Sequence, residues 1–341
     1  MTTPEDVLDI SCDESGNDGE RLVDGSGTVF SHGSHDLSLE EASEIMDWLR
    51  SETRSQAPEF KFKQLARHCD PELLSELFEE RLANRAHVNL SEKTYMVVGK
   101  VVDLLVEELA HSLGMNLYAG GKARAMALRF YREGGRALGT VGWMELLRAF
   151  NSLMRVNADK NGNKTTIEEF FKVVDTSRGN SKRLNVTTVL DLVFAARVHA
   201  EEFQEQLSDS ALPALDPLPT SLAQIARFWH ESSDRPIRVR HDVSPALRPE
   251  TVDALVFSPR NPGEFVRLAP PVPLVEIVQV ISESDPRIQV ADLIAGFGAK
   301  VAMNALENSA SPEDLRLLHP FLDQNSLWGD ELSWKRMTRP V

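Results

Sequence analysis

The sequence predicts an α/β protein whose sheet is assembled from the two ends of the chain, with a large helical insertion between them. Three observations lead there. Short apolar or alternating runs cluster at 7–13, 87–90, 236–242 and 274–281. Between about 101 and 207 the text turns mainly helical. The proline-rich stretch at 212–219 then closes that block as a linker or rigid turn.

Each element has a local reason. In Val7 to Asp13, alternation sends Leu8, Ile10 and Cys12 to one face and Asp9, Ser11 and Asp13 to the other, as in a half-buried strand. Gly16-Asn17-Asp18-Gly19 signals a turn, and a strand or hairpin is expected within 21–30, interrupted by Gly25-Ser26-Gly27. Ser38-Leu39-Glu40-Glu41 has the form of a capping box and opens a helix through Arg54. A short strand at 59–62, a helix at 71–85, a strand at 87–90 and a helix at 97–113 follow. Within the helical block, breaks are expected at Gly120-Gly121, Gly134-Gly135 and Asn161-Gly162. After a helix at 221–230, the strand 236–242 places Ile237, Val239 and His241 on one face and ends with Asp242 on the other. The strand 274–281 precedes Asp285-Pro286, an N-cap followed by a first-turn proline, and the helix so opened carries Asp292 to about Leu306. Gly296 and Gly298 would let that helix lie close on the sheet.

At 341 residues the chain exceeds an ordinary single domain. Its 42% hydrophobic and 26% charged residues are those of a globular protein, and no apolar stretch approaches the roughly 20 residues of a membrane-spanning helix. The acidic start reads as no secretory leader, so a cytoplasmic location is expected. Cys12 and Cys69 are too few for a disulfide framework or a four-thiolate zinc site, and Cys12 reads as a small buried apolar residue. A formal charge of -15 weighs against a broad electrostatic footprint for nucleic acid, although carboxylate-held cations can themselves attract phosphate.

Two short acidic motifs carry the chemistry: Asp13-Glu14-Ser15-Gly16-Asn17 after the first strand, and Gln289-Val290-Ala291-Asp292-Leu293-Ile294-Ala295-Gly296 in the last long helix. D-E-S-G-N and Q-x-A-D-L-I-A-G resemble an RNase-H-like family catalogued as a domain of unknown function, family 3800. Glu59-Phe60-Lys61 resembles that family's E-x-K segment, and Asp242 resembles its acidic residue closing a middle strand. The likeness covers roughly 5–65 and 235–305. It implies an RNase-H-like mixed β-sheet flanked by helices, and it marks Asp13, Glu59, Asp242 and Asp292 as catalytic and metal-binding acids.

Clustered carboxylates suit hard cations such as Mg²⁺ or Mn²⁺, and a pair of such ions can run phosphodiester hydrolysis without a protein nucleophile. Each acid also has a plainer use: Asp13 as a turn residue, Asp292 on a solvated helix face, Asp242 as a strand-end cap or ion-pair partner, and Glu59 as the partner of Lys61. Glu14 should point away from Asp13, toward a hydrogen-bonding role. His32 and His35 form an H-x-x-H pair in Gly/Ser-rich text that reads as a loop, lacking an organised third ligand for zinc. The 159–164 segment fails as a calcium loop, because Lys164 stands where glycine is needed. Lys122, Arg124, Arg129, Arg132 and Arg136, with a smaller group at Arg178, Lys182 and Arg183, read first as a solvated helix face and second as a guide for a phosphate backbone. Trp48, Trp143 and Trp229 read as core or interface residues.

The resulting expectation is an RNase-H-like domain built from 1–100 and 220–308, a helical insertion at 101–219 and a C-terminal helical tail at 309–341. Its expected function is divalent-metal-dependent phosphodiester hydrolysis of nucleic acid, a nuclease activity. Two alternatives stay open: a non-catalytic module binding nucleic acid or a protein, and an enzyme for another phosphorylated substrate.

Overall fold

The computed structural model describes residues 6–57, 59–68, 70–156, 162–199, 212–257 and 272–339. Cys69 and residues 159–161 of the 159–164 segment lie outside them. The protein is α/β, with a five-stranded mixed sheet in the order β3-β2-β1-β4-β5. The strands are β1 (Leu8–Ser15), β2 (Val29–His35), β3 (Ala86–Glu92), β4 (Ile237–Asp242) and β5 (Leu274–Val280). β1 pairs antiparallel with β2 and parallel with β4, so it occupies the centre although it comes first in the chain.

The helices are α1 (Leu39–Thr53), α2 (Phe62–His68), α3 (Pro71–Ser75), α4 (Lys93–Val101), α5 (Glu107–Ser112), α6 (Lys122–Met154), α7 (Ile167–Asn180), α8 (Leu184–Ala195), α9 (Pro217–Ser233), α10 (Pro249–Phe257), α11 (Pro286–Leu306), α12 (Pro312–Leu318) and α13 (Glu331–Thr338). π-helical turns at Glu76–Arg81 and Val102–Val106 extend α3 and join α4 to α5.

Strand alternation gives the sheet two different faces. On the front, α11 packs with Val290, Leu293, Ile294 and Phe297 against Val29, Val88 and Leu90. It lies very close: a Cβ on Gly33 would come within 2.5 Å of the Ala295 amide nitrogen, and one on Gly298 within 2.7 Å of Val88. On the back, Leu218, Leu222, Ile225 and Trp229 of α9 cover Ile10, Cys12, Phe30, Ile237 and Val239. Burying these apolar side chains is the main driving force for closing the sheet from both ends of the chain.

A third apolar cluster belongs to the helical block, where Trp143, Leu147, Phe150, Phe170 and Phe171 pack with Val97, Val98 and Leu190. Its core draws on α4 from Tyr95 onward and takes in Leu22 and Val23 from the loop before β2. The C-terminal segment is integral to the sheet domain. Leu322 and Leu327 bridge to Val88 and Ser91 of β3, while Trp328 and Met337 join the front core.

Several local expectations are corrected. The 21–28 segment is turns and loop, and the second strand starts only at Val29. His32 and His35, expected in a solvated loop, are buried inside β2, three residues apart and therefore on opposite faces. No strand forms at 59–62; the chain there is irregular and enters α2 at Phe62. Gly134-Gly135 does not break α6, because Gly134 lies under the Trp143 ring, and the kink falls at Gly139 (φ 74°). Pro217 and Pro219 are the first turn of α9, N-capped by Asp216, so this part of the proline-rich stretch is helix start and not linker. Gly298 packs on the sheet as expected, whereas Gly296 meets Phe62 of α2.

Candidate functional site

The four predicted acids come from four separate elements and gather at one end of the front face. Cys12 pairs with His241, so one residue further on, Asp13 and Asp242 stand side by side at the C-terminal ends of parallel β1 and β4. α11 crosses above Gly33, the partner of Asp13 on β2, and brings Asp292 to the same place. Glu59 arrives on the irregular segment before α2.

The fourth arrival has an explicit cause in the second motif. Gln289 and Asp292 are three residues apart and share one face of α11. Gln289 Oε1 accepts the Phe60 N–H at 3.2 Å, and Asp292 Oδ2 accepts the Phe62 N–H at 2.6 Å. The two carboxyl-terminal acceptors therefore clamp alternate amides of the Glu59-Phe60-Lys61-Phe62 segment. Phe60 is fully buried beneath them. The Gln289 amide also donates to the Ser282 carbonyl at 3.0 Å. Ser282 in turn gives its N–H to Asp242 Oδ1 (3.1 Å) and its hydroxyl to Glu59 Oε1 (2.5 Å). Ser282, Gln289 and Lys61 thus position the acids. Gln289 and Lys61 lie within motifs visible in the sequence, but Ser282 follows β5 with no motif to mark it.

The electrostatics are those of crowded anions. Burial pushes the Asp13 carboxyl well above the usual aspartate value, and the charges of Glu14, Asp292 and Asp242 push it further, against one favourable bond from the Glu14 N–H. Burial also raises Asp292, with Glu59 and Asp242 adding to it, while the Phe62 N–H and Lys61 pull the other way. Glu59 is partly buried, yet the Ser282 hydroxyl and the Lys61 ammonium hold it below the ordinary glutamate value. The Glu59–Lys61 pair, 3.0 Å apart, is the plainer use anticipated for this glutamate, and it is realised together with proximity to the other acids. Asp242 also accepts the Val243 N–H at 2.9 Å, a strand-end capping bond.

Glu14 points to the back face, opposite Asp13, where it meets His241, Asn17 and Ser244. Among the described residues, no group of three or more His, Cys, Asp or Glu side chains stands, in its present rotamers, placed to hold a metal ion. The four acids lie near one another without being drawn onto one point. The basic residues of the helical block are partly engaged elsewhere: Arg132 pairs with Glu331, and Arg178 with Asp175 and Asp191. A cleft of about 500 Å³, lined by Met46, Asp47, Arg50, Gln56, Glu283 and Gln289, adjoins the acids through Gln289. Among the described residues, no helix is long and apolar enough to cross a membrane. No protein-family model, curated protein or solved structure matches this chain.

Proposed function

We propose that this protein is a divalent-metal-dependent phosphodiester hydrolase acting on nucleic acid, built on an RNase-H-like sheet. The observation that carries the proposal is the gathering of Asp13, Asp242, Asp292 and Glu59 from four elements, with the carboxyls of Asp13 and Asp292 raised first by burial and further by their neighbours' charge. Buried like charges cost stability unless a cation offsets them. An all-oxygen donor set of this kind fits Mg²⁺ or Mn²⁺. Asp13, Asp242 and Asp292 would hold the ions, with Glu59 at the edge; when bound, the ions lower the pKa of water and stabilise the leaving oxygen.

The chain's own residues have separate tasks. Asp292 keeps one oxygen on the Phe62 amide, which orients its second oxygen for a ligand. Ser282 fixes Asp242 and Glu59 relative to each other through two hydrogen bonds. Partial burial opposes the Lys61 ammonium, but Glu59, Asp292 and Asp13 together hold it above the ordinary lysine value, so it stays charged beside the acids. A fixed positive charge there would attract phosphate to an otherwise acidic protein.

Calorimetric titration of Mg²⁺ and Mn²⁺ into the wild type and Asp13→Ala, followed by cleavage assays on single- and double-stranded DNA, RNA and hybrid, tests this reading. Saturable binding that is lost in the variant, with metal-dependent cleavage, is the expected outcome. Equal metal binding by both proteins would count against the site, and binding without cleavage of any substrate would favour a non-catalytic module.

A further inference from the structure

The back of the sheet carries a second polar cluster, on the opposite side from the acids. His241 Nε2 lies 3.2 Å from His32 Nε2 and 3.1 Å from Glu14 Oε2. Both imidazoles are fully buried, and Glu14 Oε2 is a buried oxygen without a hydrogen-bond donor.

The surrounding bonds fix where the protons are. Asn89 Nδ2 donates to Asp323 at 2.8 Å, so the Asn89 oxygen faces Ser221 and accepts its hydroxyl proton at 3.1 Å. With that proton committed, Ser221 can only accept from His32 Nδ1, 2.9 Å away, which places the His32 hydrogen on Nδ1. His241 Nδ1 faces the Asp242 carbonyl at 2.8 Å; a carbonyl only accepts, so this nitrogen also carries its hydrogen. In the neutral imidazoles, both Nε2 atoms therefore present lone pairs toward each other, with the Glu14 carboxylate beside them. Three acceptors meet and no donor remains.

We infer that Glu14, His32 and His241 form a binding site for a zinc-class transition-metal ion, separate from the acids of the front face. Two nitrogens held about 2.0 to 2.1 Å from a tetrahedral ion stand about 3.3 Å apart, close to the separations found here. A His₂Glu donor set suits zinc. Each histidine already donates its other ring N–H to an oxygen, the arrangement that orients metal-bound imidazole. Both present separations run through His241 Nε2, and Glu14 stands opposite His32 across the β1–β2 ladder, so rotation of the Glu14 side chain would bring its carboxylate toward the ion. Such an ion would tie β1, β2 and β4 together directly behind Asp13 and Asp242.

The test uses full-length protein from zinc-supplemented culture, analysed for metal content, and chelator-stripped protein reloaded with Co²⁺. About one zinc per chain and tetrahedral ligand-field bands are expected for the wild type, with at least about a tenfold loss of affinity in Glu14→Gln and His32→Ala. Asp13→Asn should keep the zinc while losing Mg²⁺, so the two sites fail or survive independently. If His32→Ala does not fold, the wild-type cobalt spectrum still decides. Absence of ligand-field bands, or undiminished zinc binding by Glu14→Gln, would overturn the inference and leave a proton on His241 as the bridge.

Discussion

Gly33→Ala is the sharpest test of how the front site is assembled. The added Cβ would stand 2.5 Å from the Ala295 nitrogen, 2.8 Å from the Ala291 oxygen and 3.0 Å from Ile294 Cγ2. The two closest atoms are backbone, so no side-chain rotation relieves the overlap. Reaching an ordinary contact of 3.4 Å requires α11 to retreat by about 0.9 Å, the difference between 3.4 and 2.5 Å. Overpacking of this kind costs about 1–3 kcal/mol. Asp292 follows Ala291 directly, so it moves with the helix relative to Asp13, and a displacement near 1 Å can cost about 10²-fold at a catalytic site. Urea unfolding and Mn²⁺ calorimetry read the two effects. Gly99→Ala is the control, because a Cβ there meets nothing within 4 Å and the residue lies within α4. It should stabilise by about 0.5–1 kcal/mol. A Gly33→Ala protein with wild-type unfolding midpoint and Mn²⁺ affinity would refute the idea that close helix-to-strand approach sets the site.

Asp13→Asn removes a buried charge opposed by Glu14, Asp292 and Asp242, so the metal-free variant should gain about 1 kcal/mol, seen as a rise of roughly 1–2 °C in a thermal melt, while losing Mg²⁺ affinity. Because the folded state raises this carboxyl, the wild type is favoured while the proton is on and loses stability as pH climbs through the raised value. The advantage of Asn should therefore shrink on acidification, and an advantage independent of pH would contradict the assignment. His35 acts in the other direction. Burial, the largest influence, lowers it to about 4 despite its Nε2–H bond to the Arg287 carbonyl, and its Nδ1 already accepts the Leu37 N–H. The unfolded chain takes up this proton first, so stability should fall as pH drops from about 6.5 toward 4, by roughly 3 kcal/mol from this residue. His35→Gln should flatten that slope in urea titrations at pH 7.5 and 5. Gln289→Met leaves the buried Phe60 N–H without its acceptor and should cost about 1–3 kcal/mol. It should also weaken Mn²⁺ binding by releasing Glu59 and Ser282, and unchanged binding would show that the clamp does not position the acids.

Much of the sheet was legible because alternation and capping are local signals. β1, β4 and β5, the capping box of α1 and the Asp285-Pro286 start of α11 stand where the pattern puts them. β2 was not legible, since Ser31-His32-Gly33-Ser34-His35 has the composition of a loop. It is a strand because β1 and β3 complete its ladder on both sides and α9 and α11 bury its two faces. The 59–62 segment has a strand-like pattern yet forms no strand for the opposite reason: its amides at Phe60 and Phe62 are taken by Gln289 and Asp292 of a helix about 230 residues away, and no strand partner is needed.

By itself, the sequence determined the α/β class, the opening strand bearing Asp13, the strand-end Asp242 and the helix carrying Asp292, because each depends on neighbours within a few residues. Tertiary structure decided which of those acids meet, that Ser282 and Gln289 hold them, and that His32 and His241 from distant strands face Glu14 behind the sheet. Those relations depend on strand order and on the approach of α11 over Gly33. Both are set by burial of apolar faces between segments far apart in the chain, which no local pattern encodes.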